Sequence, residues 1–129
     1  MKKTILVVED EKPLLDAIKI KLEKNGFNVL TARSVEQAKN HILDVGKIDC
    51  VWLDHYLLGK ESGLDLIFWC KEGTKDHRKM PIFVVSNTAS EKKIQTYMRL
   101  GVNKYYVKAE KRLEEIIKGI KDSLENEKG

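Results

Sequence analysis

Polar side chains capable of phosphoryl chemistry follow four short apolar runs in this 129-residue chain. The acidic pair Glu9 and Asp10 follows TILVV, Asp54 follows CVWL, Ser86 follows IFVV, and Lys108 follows YYV. Three clustered carboxylates repel one another unless a cation balances their charge, and a small set of oxygen ligands favours Mg²⁺. A carboxylate can also act as a nucleophile and form an acyl phosphate. These residue types predict magnesium-assisted phosphoryl transfer, provided that the fold brings them together.

Each of these residues also has an ordinary structural explanation. Acidic residues favour the first turn of a helix, serine and aspartate favour turns, and lysine is common on surfaces. Compatible chemistry at all four places is not expected by accident, which favours a shared site. In such a site Lys108 and the metal would stabilise the charge of the transferring group, and Ser86 would donate a hydrogen bond to a phosphoryl oxygen.

Apolar runs and helical patterns alternate along the chain, and this alternation predicts an α/β fold. Five strands separated by helices form a doubly wound parallel sheet, for which we expect the flavodoxin-like order 2-1-3-4-5. The carboxyl ends of parallel strands lie at one edge of such a sheet, so the four polar places should converge there. The predicted strands are Thr4 to Val8, Phe27 to Thr31, Cys50 to Leu53, Ile82 to Val85 and Tyr105 to Val107.

Five helices are predicted from apolar residues at spacings of three and four and from capping residues. Ser34 to Gln37 is a capping box, Ser90 caps the fourth helix, and the polar segment from Glu72 to Lys79 is expected to be a loop. The apolar residues at helical spacing are Leu14, Leu15, Ile18 and Leu22 in the first helix; Val35, Ala38, Ile42 and Val45 on one face of the second; Leu64, Ile67 and Phe68 in the third, where Trp69 and Cys70 widen an apolar surface expected in the core; Ile94, Tyr97 and Met98 on the inward face of the fourth; and Leu113, Ile116, Ile117, Ile120 and Leu124 in the fifth.

Length and composition predict one folded domain, residues 1–125, with a polar tail at residues 126–129. The net charge of +4 comes from lysines interleaved with glutamates, and no nucleic-acid recognition motif is present, so nucleic-acid binding is not expected. No apolar run is long enough for a signal peptide or a membrane span, which favours a cytoplasmic protein without membrane contact.

Cysteine and histidine spacing argues against a zinc site or a redox motif. Cys50 and Cys70 belong to no CxxC pair, so buried or half-buried thiols in a reducing compartment are expected. His41, His55 and His77 lack zinc-ligand spacing. His55 directly follows a proposed site residue, and because neighbouring side chains point apart at a strand end, we expect it at the surface.

Taken in order, the motifs resemble the receiver domain of two-component response regulators, from Ile5 to the last helix. ILVVEDE matches the acidic pair, LD with the following loop and SGLDL the phosphoacceptor, PIFVVSNTA the switch strand, and GVNKYYVK the family lysine. The resemblance implies that Asp54 is phosphorylated and that Glu9, Asp10, Asp54 and the backbone carbonyl of Tyr56 hold Mg²⁺.

By the same resemblance, Ser86 occupies the hydroxyl switch position, Lys108 pairs with the phosphoryl group, and Tyr105 is the aromatic switch. Phosphorylation would draw the hydroxyl and then the ring inward, reshaping the face of the fourth helix, fifth strand and fifth helix. Tyr56 and Thr88 would tune the lifetime of the acyl phosphate, and the bulk of Tyr56 predicts slow self-dephosphorylation. The chain would not be an enzyme for other substrates, since it would catalyse only its own phosphoryl acceptance and dephosphorylation.

The chain departs from the family pattern in three places. Residues 57–59 (LLG) lack the usual proline, and the spacing from Asp54 to Gly63 is one residue longer than is usual in the family. Ala109 replaces the usual proline after the lysine, and since a cis bond before other residues costs about 2.5–4 kcal/mol, a trans peptide is expected there. Glu9 replaces the commoner aspartate and lengthens one metal-ligand arm. None of these changes removes a residue that the chemistry needs.

A phosphorylation-driven switch would receive its phosphoryl group from a histidine kinase or a histidine phosphotransfer protein. It would act on a protein target that the sequence does not identify, as a monomer or weak homodimer. The alternative is a receiver-like module that docks partners without phosphorylation; retention of the acidic, hydroxyl and lysine positions favours the switch. A flavodoxin-like cofactor carrier is disfavoured because carboxylates occupy the place of a phosphate-binding loop. No second domain is expected after the fifth helix, so the chain is a stand-alone regulator or the receiver of a longer protein.

Overall fold

The computed structural model describes residues 2–55, 59, 61–87 and 90–126, which form one five-stranded parallel sheet covered by helices. The strands are β1 (Thr4–Val8), β2 (Asn28–Ala32), β3 (Cys50–Leu53), β4 (Ile82–Ser86) and β5 (Lys104–Val107). The helices are α1 (Lys12–Lys24), α2 (Val35–Asp44), α3 (Gly63–Lys71), α4 (Lys75–Lys79), α5 (Glu91–Arg99) and α6 (Leu113–Asn126). The strand order β2-β1-β3-β4-β5 confirms the predicted fold class.

Alternate residues along the strands bury their side chains on opposite faces of the sheet. Leu6 and Val8 belong to the core beneath α2, α3 and α5, whereas Ile5 and Val7 belong to the core beneath α1 and α6. A sheet covered on both faces requires this period of two. Buried as predicted are Leu15, Ile18 and Leu22 of α1, Ile116, Ile117, Ile120 and Leu124 of α6, and the free thiols of Cys50 and Cys70.

Side-chain caps begin three of the helices. Ser34, Thr74 and Ser90 each accept a hydrogen bond from the backbone N–H three residues later. Gly26 and Gly101 follow α1 and α5 with φ values of 89° and 92°, a left-handed conformation that glycine adopts without strain. The predicted caps at Ser34 and Ser90 are therefore confirmed.

The structure has six helices rather than the predicted five. The polar segment from Glu72 to Lys79, expected to be a loop, contains the five-residue helix α4 with Thr74 as its N-cap. No side chain of α4 is buried, so the segment has no apolar periodicity that would indicate a helix. The fourth and fifth predicted helices therefore correspond to α5 and α6. Within the described part of the chain, no helix is long and apolar enough to cross a membrane.

Two apolar side chains that were expected in the core are about half exposed. Phe68 is 48% exposed and Met98 is 44% exposed, so both assignments are wrong. Helix α3 buries the predicted Ile67 and Cys70 together with Leu66, which turns its buried face away from Phe68. In α5 the one buried side chain is that of Tyr97.

Candidate functional site

The carboxyl edge of the sheet holds every buried polar or charged residue in the part of the chain that the structure describes. These residues are Glu9, Asp54, His55 and Ser86, each at the end of β1, β3 or β4 or within two residues of it. Burying such groups is unfavourable unless they are paired or bind a ligand. This edge is therefore the strongest candidate for a functional site.

Strand register brings the acidic residues together. Val8 of β1 lies opposite Leu53 of β3, so Glu9 and Asp54 leave the sheet side by side. The backbone N–H of Asp54 donates to the carbonyl of Val8 at 3.0 Å, which extends the strand pairing to the site. Glu9, Asp10 and Asp54 each place one carboxylate oxygen within 4.8 Å of the others. The three carboxylates can therefore hold one metal ion.

Lys108 extends into this acidic cluster from the end of β5. Its backbone N–H donates to the carbonyl of Ser86 at 2.8 Å, so the pairing of β4 with β5 fixes its position. Its ammonium group donates to Oε1 of Glu9 at 2.9 Å and lies 3.5 Å from Oδ2 of Asp54. The structure thus brings Lys108 together with the carboxylates, and Ser86 lies beside it on the neighbouring strand. The Lys108–Ala109 peptide is trans, as expected.

Burial and mutual repulsion shift the pKa values of the cluster. Burial, followed by the charge of Glu9, raises the pKa of Asp54 to about 7, against an opposing effect of Lys108. Burial also raises the pKa of Asp10, assisted by its hydrogen bond and charge interaction with Glu9. For Lys108, burial alone would lower the pKa, but the hydrogen bond with Glu9 and the charges of Asp54 and Glu9 raise it overall. Further positive charge would be stabilised here.

Arg33, which the sequence pattern does not indicate as a site residue, supports the site. Its guanidinium donates two hydrogen bonds to the backbone carbonyl of Asp10, from Nε at 3.0 Å and from Nη2 at 2.7 Å. This fork holds the loop between β1 and α1 that carries one of the carboxylates. The sequence could have indicated Arg33 as a charged residue directly after β2. The predicted β2 ended one residue too early, at Thr31 instead of Ala32, so Arg33 did not stand at the predicted strand end.

His55 is buried, so the expected surface position is wrong. Only 8% of the surface of His55 is exposed, and its Nδ1 forms a hydrogen bond with the hydroxyl of Tyr97 on α5. The two rings meet edge to face with centroids 5.6 Å apart. Burial, assisted by the charge of Lys93, lowers the pKa of His55 and favours the neutral ring. Strand alternation indicates where a side chain points, but it does not reveal that a helix covers the strand end.

Tyr105, the predicted aromatic switch, is half-buried and packs beside the same tyrosine of α5. The ring centroids of Tyr105 and Tyr97 are 5.5 Å apart, with the rings tilted by 53°. Tyr97 therefore contacts both His55, the residue after Asp54, and Tyr105 of β5. The predictions for Tyr56 and Thr88, and for the shape of the loop at residues 56–58 and 60, lie outside the described residues.

A family model described as the response regulator receiver domain matches residues 5–121. The transcriptional regulatory protein VxrB of Vibrio cholerae is 31% identical over 108 residues, covering 84% of this chain and 41% of that protein. The chain spans only 41–45% of the length of the curated transcriptional regulatory proteins it matches.

Solved structures share the fold over nearly the whole chain. A CheY-like response regulator receiver domain protein from Methanospirillum hungatei has a TM-score of 0.87 and 22% identity, covering 99% of this chain and 98% of that one. The phosphorylated cyanobacterial phytochrome response regulator RcpA has a TM-score of 0.81 and 26% identity, covering 95% of this chain and 93% of that one. The sequence comparisons and the structure comparisons therefore both match this chain to response regulator receiver domains.

Proposed function

The chain belongs to the response regulator receiver domain family, and on that premise we propose that it is a phosphorylation-driven switch whose phosphoacceptor is Asp54. The observation that carries this proposal is the cluster of the buried Glu9 and Asp54 with the half-buried Asp10, in which the ammonium group of Lys108 contacts Glu9 and Asp54. Such a cluster is unfavourable for stability, whereas phosphoryl transfer uses all four groups.

Asp54 is the nucleophile. One of its carboxylate oxygens attacks the phosphorus of a phosphohistidine, and the new O–P bond forms as the P–N bond breaks. The bonding electron pair leaves with the imidazole nitrogen, which takes up a proton. The donor is a histidine kinase or a histidine phosphotransfer protein. The domain acts on no other substrate and catalyses only its own phosphoryl acceptance and later hydrolysis. The phosphorylated form of the related RcpA supports this chemistry.

The carboxylates fit a divalent cation with oxygen ligands. Glu9, Asp10 and Asp54 are the proposed protein ligands, and the backbone carbonyl of Tyr56 remains the predicted fourth. Hard oxygen donors in this number suit Mg²⁺. When bound, Mg²⁺ supplies positive charge that offsets the charge on the transferring phosphoryl oxygens. Arg33 assists by holding the backbone of Asp10 in place.

Lys108 and Ser86 respond to the arrival of the phosphoryl group. The Lys108 ammonium is bound to Glu9 and Asp54, and a phosphoryl group on Asp54 offers it an acceptor of higher charge. Ser86 is fully buried at the end of β4 and would donate to another phosphoryl oxygen. Movement of Ser86 would make room for Tyr105 to turn further inward. This motion would change the surface formed by α5, β5 and α6, which is the output face.

Intact-mass spectrometry after incubation with acetyl phosphate and Mg²⁺ tests the proposal. We expect the chain to gain one phosphoryl group, and we expect none in Asp54→Asn or in a sample treated with EDTA. Asp44→Asn is a matched control, because Asp44 is an exposed aspartate of α2. A wild-type chain that gains no phosphoryl group from acetyl phosphate or from a phosphorylated histidine kinase would contradict the proposal and favour a docking module.

A further inference from the structure

We propose that the hydrogen bond between His55 and Tyr97 couples the phosphoacceptor segment to α5. Through it, the state of Asp54 would reach the surface of α5 and β5 by a second route, beside the one through Ser86 and Tyr105. This coupling rests on the proposed function, because it concerns how a phosphoryl group on Asp54 is sensed.

On one side of this link, His55 is tied to the phosphoacceptor. It is the next residue after Asp54, and its carbonyl accepts a hydrogen bond from the N–H of Gly63, the first residue of α3, at 3.0 Å. A Cβ atom at Gly63 would lie 2.8 Å from the carbonyl oxygen of Asp54 and 3.2 Å from the Cα of His55, so only glycine permits this approach. A displacement of the Asp54 backbone is therefore passed to His55.

On the other side, Tyr97 is tied to the output face. Its side chain is the buried one of α5, and its ring packs 5.5 Å from the ring of Tyr105 on β5. Its hydroxyl bonds Nδ1 of His55 across 42 residues of sequence. A hydrogen bond weakens as its length increases and as its angle departs from linearity. A buried hydrogen bond between two elements therefore opposes their relative movement. The position of α5 therefore depends on the position of His55.

Tyr106 provides a matched control because it follows Tyr105 but packs on the opposite face of the sheet. It belongs to the core beneath α1 and α6. Its buried hydroxyl has no hydrogen-bond partner among the described residues. Tyr106→Phe therefore removes the same atom from the core as Tyr97→Phe does, but leaves the bond to His55 intact.

Amide hydrogen exchange, measured with and without phosphorylation by acetyl phosphate and Mg²⁺, tests the link. Intact mass gives the phosphorylated fraction of the wild type, Tyr97→Phe and Tyr106→Phe, which should be equal. In the wild type, phosphorylation is expected to change the amide exchange rates of α5 and β5. We expect this change to be about fivefold smaller in Tyr97→Phe, since fivefold corresponds to a weak coupling between two sites. Tyr106→Phe should keep the wild-type change.

Two substitutions of His55 separate the hydrogen bond from packing. Asparagine presents a polar atom near the position of Nδ1 and can still bond Tyr97, whereas leucine cannot. We expect His55→Asn to keep the response and His55→Leu to lose it, at equal phosphorylation. A wild-type response in Tyr97→Phe or His55→Leu would overturn the coupling. If the wild type itself gains no phosphoryl group, the proposed function fails and the coupling with it, so intact mass distinguishes the two failures.

Discussion

The two ends of the sheet place polar groups in opposite surroundings. At the carboxyl end, Glu9 and Ser86 are completely buried, and Asp54 and His55 are nearly so. At the amino end, Asp49 performs a local structural task by accepting a hydrogen bond from the first N–H of β1 at 2.7 Å. The same kind of side chain therefore has a neighbouring backbone partner at one end and belongs to a charged cluster at the other.

An open cavity of about 550 Å³ also lies at the amino end, and its lining shows the contrast further. Charged residues such as Lys47 and Asp76 line it, but both are exposed, so water can solvate them. Polar groups that reach water are solvated there, whereas buried charged groups need an ion pair, a hydrogen-bond partner or a ligand. The comparison of the two ends indicates that buried charged groups identify the functional end of this fold better than charged groups lining an open cavity do.

Lys108→Ala should have the largest effect, because it removes the positive charge that faces Glu9 and Asp54. We expect the rate of acyl phosphate formation to fall by about 10²–10³-fold, the typical loss when one preorganised charge donor is removed. The rate is measured by intact mass over time. Lys104→Ala, at the exposed start of the same strand, should react as the wild type does. An unchanged rate in Lys108→Ala would mean that the ammonium has no part in the transfer.

Asp54→Asn should stabilise the chain at high pH when EDTA is present. The pKa of Asp54 is about 7 in the folded chain and 3.8 without burial, so the folded state retains a proton that the unfolded state releases. Stability therefore falls as the pH rises between these two values. Since asparagine cannot ionise, we expect a gain of about 1–3 kcal/mol at about pH 8 and none near pH 4. Urea unfolding measures both; an equal gain at the two pH values would contradict the pKa shift.

Arg33→Ala should weaken Mg²⁺ binding without removing a ligand. The guanidinium holds the carbonyl of Asp10 through two hydrogen bonds, and loss of a group that orients a ligand lowers metal affinity by about tenfold or more. Calorimetric titration with Mg²⁺ measures the change. Arg99→Ala, an exposed arginine of α5, serves as the control. Wild-type affinity in Arg33→Ala would show that the loop holds Asp10 without this support.

Asp49→Ala should have the smallest effect on the site, although it disturbs the fold at the amino end. Loss of its hydrogen bond with the N–H of Thr4 should lower the free energy of unfolding by about 1–2 kcal/mol. Mg²⁺ affinity and phosphoryl acceptance should remain those of the wild type. A loss of either function in the folded variant would show that the two ends are not independent.

The sheet and the meeting of its polar strand ends could be predicted because both follow from topology. Asp54 and Lys108 come directly after apolar strands, and the carboxyl ends of parallel strands must lie at one edge. Burial of His55 could not be predicted, because it depends on contact with α5, and its partner Tyr97 lies 42 residues away in the sequence. Arg33 was missed because its role depends on the residue at which β2 ends.

Borohydride trapping distinguishes Asp54 from the other carboxylates of the cluster more directly than any substitution does. Borohydride reduces an aspartyl phosphate to homoserine, and peptide mass spectrometry then locates the reduced residue. After treatment with acetyl phosphate and Mg²⁺, we expect homoserine at position 54 and unmodified side chains at Glu9 and Asp10. Reduction at either of those residues, or a phosphorylated chain with no reduced residue at position 54, would contradict the assignment of Asp54 as the phosphoacceptor.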